Sequence, residues 1–157
     1  MFYGGAWNDT LYGGNGHDIL DGGAVDDVIR GGEGRSKIYG GPGNDDIADG
    51  PGGSEIHTGP GRNIVRSAGG DDHIYVGSGQ NTIEPGEGAA VFHVAYGGVT
   101  EINGWSDAYR LDLSAWPNPP ELRITGNDRA DIRLGVAIIR INGPVSETTL
   151  QTQITQG

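Results

Sequence analysis

The chain has 157 residues, 31 of them glycine, with 34% hydrophobic residues, no cysteine and a net charge of −11. Glycine thus makes up about a fifth of the chain, against about 7% on average. The acidic balance argues against nucleic acid or an anionic membrane surface as the partner and leaves cations. The lack of cysteine excludes disulfide scaffolds and thiolate zinc sites, and no apolar run approaches the roughly 18 residues of a membrane span. There is no Gly-X-Y triplet period, hence no collagen helix, and Met1-Phe2-Tyr3-Gly4-Gly5 has no signal-peptide character.

From Gly4 the chain falls into ten consecutive rows of nine residues, GGAWNDTLY, GGNGHDILD, GGAVDDVIR and so on to PGEGAAVFH, which ends at His93. Column eight reads Leu11, Leu20, Ile29, Ile38, Ile47, Ile56, Val65, Ile74, Ile83 and Phe92. Column two is Gly except for Ala68, and column four is Gly except for Trp7 and Val25. Six residues of Gly-Gly-x-Gly-x-Asp type predict a tight turn, because glycine supplies positive φ. The remaining three, polar–apolar–polar, predict a minimal strand with one side chain pointing inward. Such a strand buries nothing alone, but stacked on its copies it gives a continuous apolar column.

These rows resemble the repeat-in-toxin (RTX) nonapeptide of bacterial proteins exported by type I secretion. The resemblance implies an all-β fold: a parallel β-roll, or β-solenoid, of about five coils, followed by a small antiparallel β cap. Two rows complete one coil, alternate rows supply opposite sides, and residues 18 apart stack at about 4.8 Å. It implies calcium as the cofactor, held between consecutive turns on one side. It further implies an extracellular, secreted bacterial protein that folds on meeting calcium and stabilises an upstream effector domain, or else a noncatalytic polysaccharide-binding module similar to the repeat modules of alginate epimerases, or a structural adhesin spacer. Residues 1–93 are the expected roll, and 94–157 the expected cap and the place for a C-terminal secretion signal. A first row at Gly4 with no cap before it predicts that Met1 begins a piece of a longer protein.

After His93 the period is lost. Only seven of the 31 glycines lie in residues 94–157. Alternating stretches predict strands at Val99–Asn103, Arg110–Leu113, Leu122–Thr125, Asp131–Leu134 and Val136–Ile141. The run Glu101-Ile-Asn-Gly-Trp105…Leu111-Asp-Leu-Ser114 is similar to the post-repeat stretch of serralysin-type metalloproteases, with Trp105 in the aromatic place and one residue fewer. The end, Thr149–Gly157, is where an export signal would lie.

Calcium takes six to eight oxygen ligands at about 2.3–2.6 Å. A glycine-rich turn offers carbonyls, and an Asp at its end adds a carboxylate. Column six supplies the candidates Asp9, Asp18, Asp27, Asp45, Asn63 and Asp72, with Ser36, Ser54, Asn81 and Ala90 in the remaining rows. The plainer reading is that these Asp residues merely end turns. Odd rows keep acids in succession, which ranks the Asp27/Asp45 site first, Asp9/Asp27 second and Asp45/Asn63 third. On the even side Asp18/Ser36 and Ser54/Asp72 are marginal. The expected total is about two to four ions. Asn63 and Asn81 could form a metal-free amide ladder, and Trp7 and Val25 are expected to distort their turns, since a β-branched residue tolerates positive φ poorly.

No H-E-x-x-H, G-x-S-x-G or Walker loop is present, so this chain is not expected to be an enzyme. Tyr39, His57, Tyr75 and His93 should form a stripe on the outer face of the even-row sheet. It serves either as packing or as a low-affinity platform for a polysaccharide or a partner domain. Arg30 and Arg66, on the other outer face, offer a thin case for a polyanion. His57 and His93 lie about 9.6 Å apart, too far to share a zinc ion bound at about 2.0 Å.

Overall fold

The computed structural model describes residues 1–117, 121–124, 129–146 and 153–155. The predicted strand residue Thr125 and most of the expected export-signal stretch, 149–152 and 156–157, lie outside them. In chain order the strands are β1 (Phe2–Gly5), β2 (Thr10–Gly14), β3 (Ile19–Gly23), β4 (Val28–Gly32), β5 (Lys37–Tyr39), β6 (Asp46–Ala48), β7 (Glu55–His57), β8 (Gly61–Arg66) and β9 (Gly69–Val76). There follow β10 (Gly79–Glu84), β11 (Glu87–Val94), β12 (Val99–Asn103), β13 (Tyr109–Asp112), β14 (Glu121–Ile124), β15 (Arg129–Leu134), β16 (Ala137–Asn142) and β17 (Ile154–Thr155).

The chain is an all-β parallel solenoid of two facing sheets. Odd rows give β2, β4, β6, β8 and β10 of one sheet, and even rows give β3, β5, β7, β9 and β11 of the other. The register is constant, with Leu20 opposite Ile38, Ile38 opposite Ile56, and Ile29 opposite Ile47. Column eight therefore points between the sheets: Leu11 is 8% exposed, and the other nine members are fully buried. Each such side chain contributes about 1.5–3 kcal/mol of burial, and this column is most of the core that the turn-rich half owns.

Two sequence expectations need correction. The period is not lost after His93. Asn81 pairs with Thr100 and Ile83 with Ile102, while Phe92 pairs with Leu111, all in parallel. These partners are 19 residues apart instead of 18, so one inserted residue shifts the phase and the rows carry on. The roll thus completes about six turns rather than five. Among the described tail pairings β14–β15 and β15–β16 are antiparallel, which is the small antiparallel segment expected. Strands β16 and β17 add in parallel to β12 and β13.

At the tail end the core turns aromatic. Phe92, Trp105 and Tyr109 meet with centroids 5.7–6.0 Å apart, two of the three contacts edge-on. Such T-shaped contacts suit the ring quadrupole. The polar tips are satisfied: Trp105 Nε1 donates to Gln153 Oε1 at 3.0 Å, and the Tyr109 hydroxyl donates to the Gly86 carbonyl at 2.5 Å. Trp105, the aromatic of the post-repeat stretch, is therefore a core residue.

Candidate metal centre

The turns of the odd rows cross from one sheet to the other and stack along one side. From the second coil on, Asp27, Asp45 and Asn63 each spend one oxygen on the coil before. The Asp9 N–H donates to Asp27 Oδ1 at 2.8 Å, the Asp27 N–H to Asp45 Oδ1 at 3.0 Å, and the Asp45 N–H to Asn63 Oδ1 at 2.9 Å. That bond fixes the Asp27 and Asp45 carboxylates and leaves the second oxygen of each without a donor. The Oδ2 atoms of Asp9, Asp27 and Asp45 are all buried without a hydrogen-bond partner. Burying an ionised oxygen unpaired is costly, and here it happens three times in register.

Each orphaned oxygen shares its space with a carbonyl of the next coil. At Gly22 a side-chain Cβ would lie 2.4 Å from Asp27 Oδ2 and 2.7 Å from the Gly40 oxygen. At Gly40 the same point is 2.6 Å from both Asp45 Oδ2 and the Thr58 oxygen. At Gly4 it is 2.4 Å from the Gly22 oxygen and 2.8 Å from Asp9 Oδ2. That point is a bond length from Cα, so no ion sits on it. It marks where a carboxylate oxygen and a carbonyl oxygen converge in a hollow that glycine alone leaves open, and hard oxygens of this kind are what calcium takes. The residues present therefore fit calcium. Asp9, Asp27 and Asp45, with the carbonyls of Gly22, Gly40 and Thr58, are the groups that could hold it.

Electrostatics singles out the same carboxylates. Burial, set against the bond from Asp27 N–H and added to by the charges of Asp27 and Asp26, pushes the Asp45 carboxyl up from 3.8 to about 6. Burial, and then the charge of Asp9, also raises Asp27.

The column of hollows ends at row seven, where Thr58 brings a Cβ and a hydroxyl that accepts the Gly77 N–H at 3.0 Å. Beyond it the amides close on themselves. Asn63 Nδ2 donates to Asn81 Oδ1 at 3.1 Å and to the Gly59 carbonyl at 3.1 Å, and Asn81 Nδ2 donates to the Gly77 carbonyl at 2.9 Å. Asn63 and Asn81 thus make the amide contact that the sequence offered as the alternative to a metal ligand.

The even side is built differently. Gly13 leaves a looser hollow, 2.3 Å from the Gly31 oxygen but 3.2 Å from Asp18 Oδ2. Ser36 and Ser54 carry no charge, and Ser54 Oγ accepts the Ser36 N–H at 3.2 Å. Asp72 is engaged at both oxygens, by the Ser54 N–H at 2.7 Å and by the Ser67 hydroxyl. Asp49, a column-one acid absent from the column-six candidates, is also buried, and its Oδ1 accepts the Ala68 N–H at 3.2 Å.

The expected distortion at Val25 takes another form. Val25 holds φ at +68°, the one non-glycine residue with positive φ among those described. Its N–H still donates to the Pro42 carbonyl at 2.8 Å. The turn is kept, and the strain sits on one residue.

On the outer face of the even-row sheet the stripe is a ring stack. Centroids lie 4.8 Å apart for Tyr39–His57, 4.4 Å for His57–Tyr75 and 4.3 Å for Tyr75–His93. The stack runs on to Asp112, whose Oδ2 is 2.8 Å from His93 Nδ1, and His73 Nδ1 lies 3.3 Å from His93 Nε2. A groove of about 500 Å³ runs beside Tyr75, His93, Asp112 and Ser114. The ring faces are spent on one another, so mainly edges reach solvent. On the opposite outer face Arg30 and Arg66 both pair with Asp46 Oδ1, at 3.1 and 2.9 Å, and Arg66 also reaches Glu84.

A two-sheet parallel roll with acid-tipped glycine turns at its edge defines a calcium-binding β-roll module. The family profile described as RTX calcium-binding nonapeptide repeat (4 copies) matches residues 1–29, 22–52 and 49–83. The chain belongs to that family, whose repeat is a structural calcium-binding module. No curated protein matches the chain. No helix among the described residues is long and apolar enough to cross a membrane.

Proposed function

We propose that this module folds when calcium fills the odd-side hollows at Asp9, Asp27 and Asp45, as part of a secreted bacterial protein whose upstream effector it stabilises. The observation that carries the reading is the register of three buried, unpartnered carboxylate oxygens. Residues 1–93 carry 14 acids and five basic residues, so self-repulsion opposes the compact state. Ordering the backbone costs about 1–2 kcal/mol per residue, which a one-column core does little to offset. Cations both neutralise the turns and tie successive coils together, so binding energy becomes folding energy. Low calcium inside a cell would leave the chain unfolded for export, and millimolar calcium outside would fold it. Beyond His93, β12, β13, β16 and β17 extend the roll, and the chain itself does no catalysis. An extracellular polysaccharide is the weaker partner reading, because the ring faces are stacked and the arginines are paired. Circular dichroism in chelator and then in millimolar calcium tests the proposal. Gain of β signal with a midpoint near about 10⁻⁴–10⁻³ M is expected, and a full β spectrum in chelator at neutral pH would overturn it.

A further inference from the structure

Histidines too far apart along one column come together across two. On the outer face of the even-row sheet His73 stands in column seven of row eight and His93 in column nine of row ten. Their partners in the register are Val91 and Tyr75 respectively, so the two histidines hold one diagonal of a four-residue patch on neighbouring strands. His73 Nδ1 comes to 3.3 Å from His93 Nε2. The ring planes differ by 15° with centroids 5.6 Å apart, wider than the 4.3 Å between Tyr75 and His93. The two imidazoles therefore meet at their edges, nitrogen to nitrogen.

The far side of His93 decides the state of that nitrogen. Asp112, opposite His93 in the register, places Oδ2 2.8 Å from His93 Nδ1. The Ser114 N–H, donating to Asp112 Oδ1 at 2.9 Å, and then His93 itself hold the Asp112 carboxyl below its ordinary range against the effect of burial. It is a carboxylate, able only to accept, so His93 Nδ1 carries the proton. A neutral His93 then turns a bare lone pair at Nε2 toward His73. A carboxylate behind an imidazole whose other nitrogen is bare is the arrangement that orients metal-bound histidines. Tyr75, stacked on the His93 ring, holds its plane. The side chains of His93 and Asp112 are 25% and 26% exposed, so an ion reaches them from solvent.

We propose that His73 Nδ1 and His93 Nε2 form a surface site for a divalent transition-metal ion such as zinc, with Asp112 as the positioning residue behind His93. Two nitrogens bound tetrahedrally to one zinc ion at about 2.0–2.1 Å lie about 3.3 Å from each other, which is the spacing found between these two. Without an ion, one proton on His73 Nδ1 joins the pair. A modest turn of the rings about χ2, a soft torsion, aims both lone pairs at an ion that takes the place of that proton. No third His, Cys, Asp or Glu completes a ligand set among the described residues, so water fills the remaining positions and the ion is exchangeable. Nitrogen donors suit zinc or copper, whereas calcium takes oxygen. The site thus differs in chemistry and in place from the acid-tipped turns, and the inference does not rest on the calcium reading. The ion would tie β9 to β11 and, through Asp112, to β13, beyond the inserted residue that shifts the phase.

Calorimetry with zinc chloride, on the full chain in saturating calcium chloride near neutral pH, tests the site with the oxygen hollows already supplied. Wild type is expected to bind one zinc ion, His73→Gln and His93→Gln to lose it, and His17→Gln to keep it. Asp112→Asn leaves both nitrogens in place and is expected to weaken zinc by about 10–100-fold with the calcium response unchanged, a split that a general loss of fold would not give. NMR of the wild type needs no variant: zinc is expected to shift the imidazole signals of His73 and His93 and to leave those of His17 and His57. A wild type that binds no zinc at millimolar concentration overturns the site. So does wild-type zinc affinity in His73→Gln or His93→Gln, or a zinc shift spread equally over all four histidines. Wild-type zinc affinity in Asp112→Asn overturns the positioning role. None of these results bears on the odd-side calcium reading.

Discussion

Replacing Asp45 by asparagine should stabilise the calcium-free protein while weakening its response to calcium. Asp45 is 1% exposed and titrates at about 6 in the folded chain, against about 3.9 when unfolded. A rise of about two on the pH scale is worth about 3 kcal/mol. Because the folded value is the higher one, this contribution is present in full below about pH 4 and is lost as pH rises through about 6. Asp27, also raised, and Asp49, at about 7, act in the same direction. Glu55 and Asp112 are lowered, by hydrogen bonds from His57 and from the Ser114 N–H respectively. Their stabilisation is present at neutral pH and is lost only as pH falls below the ordinary carboxylate range. The calcium-free roll should therefore loosen steadily from about pH 5 to pH 8. Asparagine carries no charge, and Asn63 and Asn81 show where its amide goes: to the carbonyl four residues earlier, which for position 45 is Gly41. The folded fraction by circular dichroism in chelator at pH 5 and pH 8, and urea unfolding in millimolar calcium at pH 8, read all three effects. Asp45→Asn should gain up to about 3 kcal/mol in chelator at pH 8, show a flatter pH dependence, and gain less from calcium. A variant less stable than wild type in chelator at pH 8, or one with the wild-type calcium response, would refute the reasoning.

Gly22→Ala places a methyl 2.4 Å from Asp27 Oδ2 and 2.7 Å from the Gly40 oxygen. It should block that hollow, costing the calcium-bound form about 1–3 kcal/mol; calorimetry should count one ion fewer, and an unchanged count and affinity would show that the hollow is not the site. Val25→Gly relieves a left-handed valine at φ +68° and should raise calcium-bound stability by about 1 kcal/mol, read as a higher Tm. Tyr75→Ala removes the ring between His57 and His93 and should cost about 1–2 kcal/mol with no change in calcium stoichiometry. A glycan titration followed by NMR that shifts Tyr39, His57, Tyr75 and His93 would restore a binding role to the stack.

The core of the roll was legible because one column repeats without a gap from Leu11 to Phe92 and every member is inward. The stack of Tyr39, His57, Tyr75 and His93 was legible for the same reason, since a constant register carries any column into a line. What hid the next two rows was a single extra residue near Val94. With it removed, Ile102 and Leu111 fall into column eight, fully buried. A turn absorbs one residue at little energetic cost, but a fixed-phase reading does not. Phe2 was missed at the other end, although it pairs with Leu20, because its own row has no beginning. Asp49 escaped because the column that carries acids was taken to be column six, and only the folded turn shows that column one reaches the same space. His73 was placed on the right face, yet its approach to His93 is diagonal, two columns and one coil away, which a straight-column reading does not see.

The constant pairing offset sets the currency in which this architecture can change length. Loss or gain of 18 residues removes or adds one whole coil and leaves every later row on its own sheet. Loss of nine exchanges the sheets for everything downstream. Asp45, placed after such a cut, would move to the side now held by Ser36 and Ser54, and Tyr75 would leave the face where His57 awaits it. Length variants of this roll should therefore come in steps of a full coil. Half-coil variants should survive only next to the Thr58–Asn81 segment, where the amide ladder has already ended the row of acids and a swap of sides disrupts least.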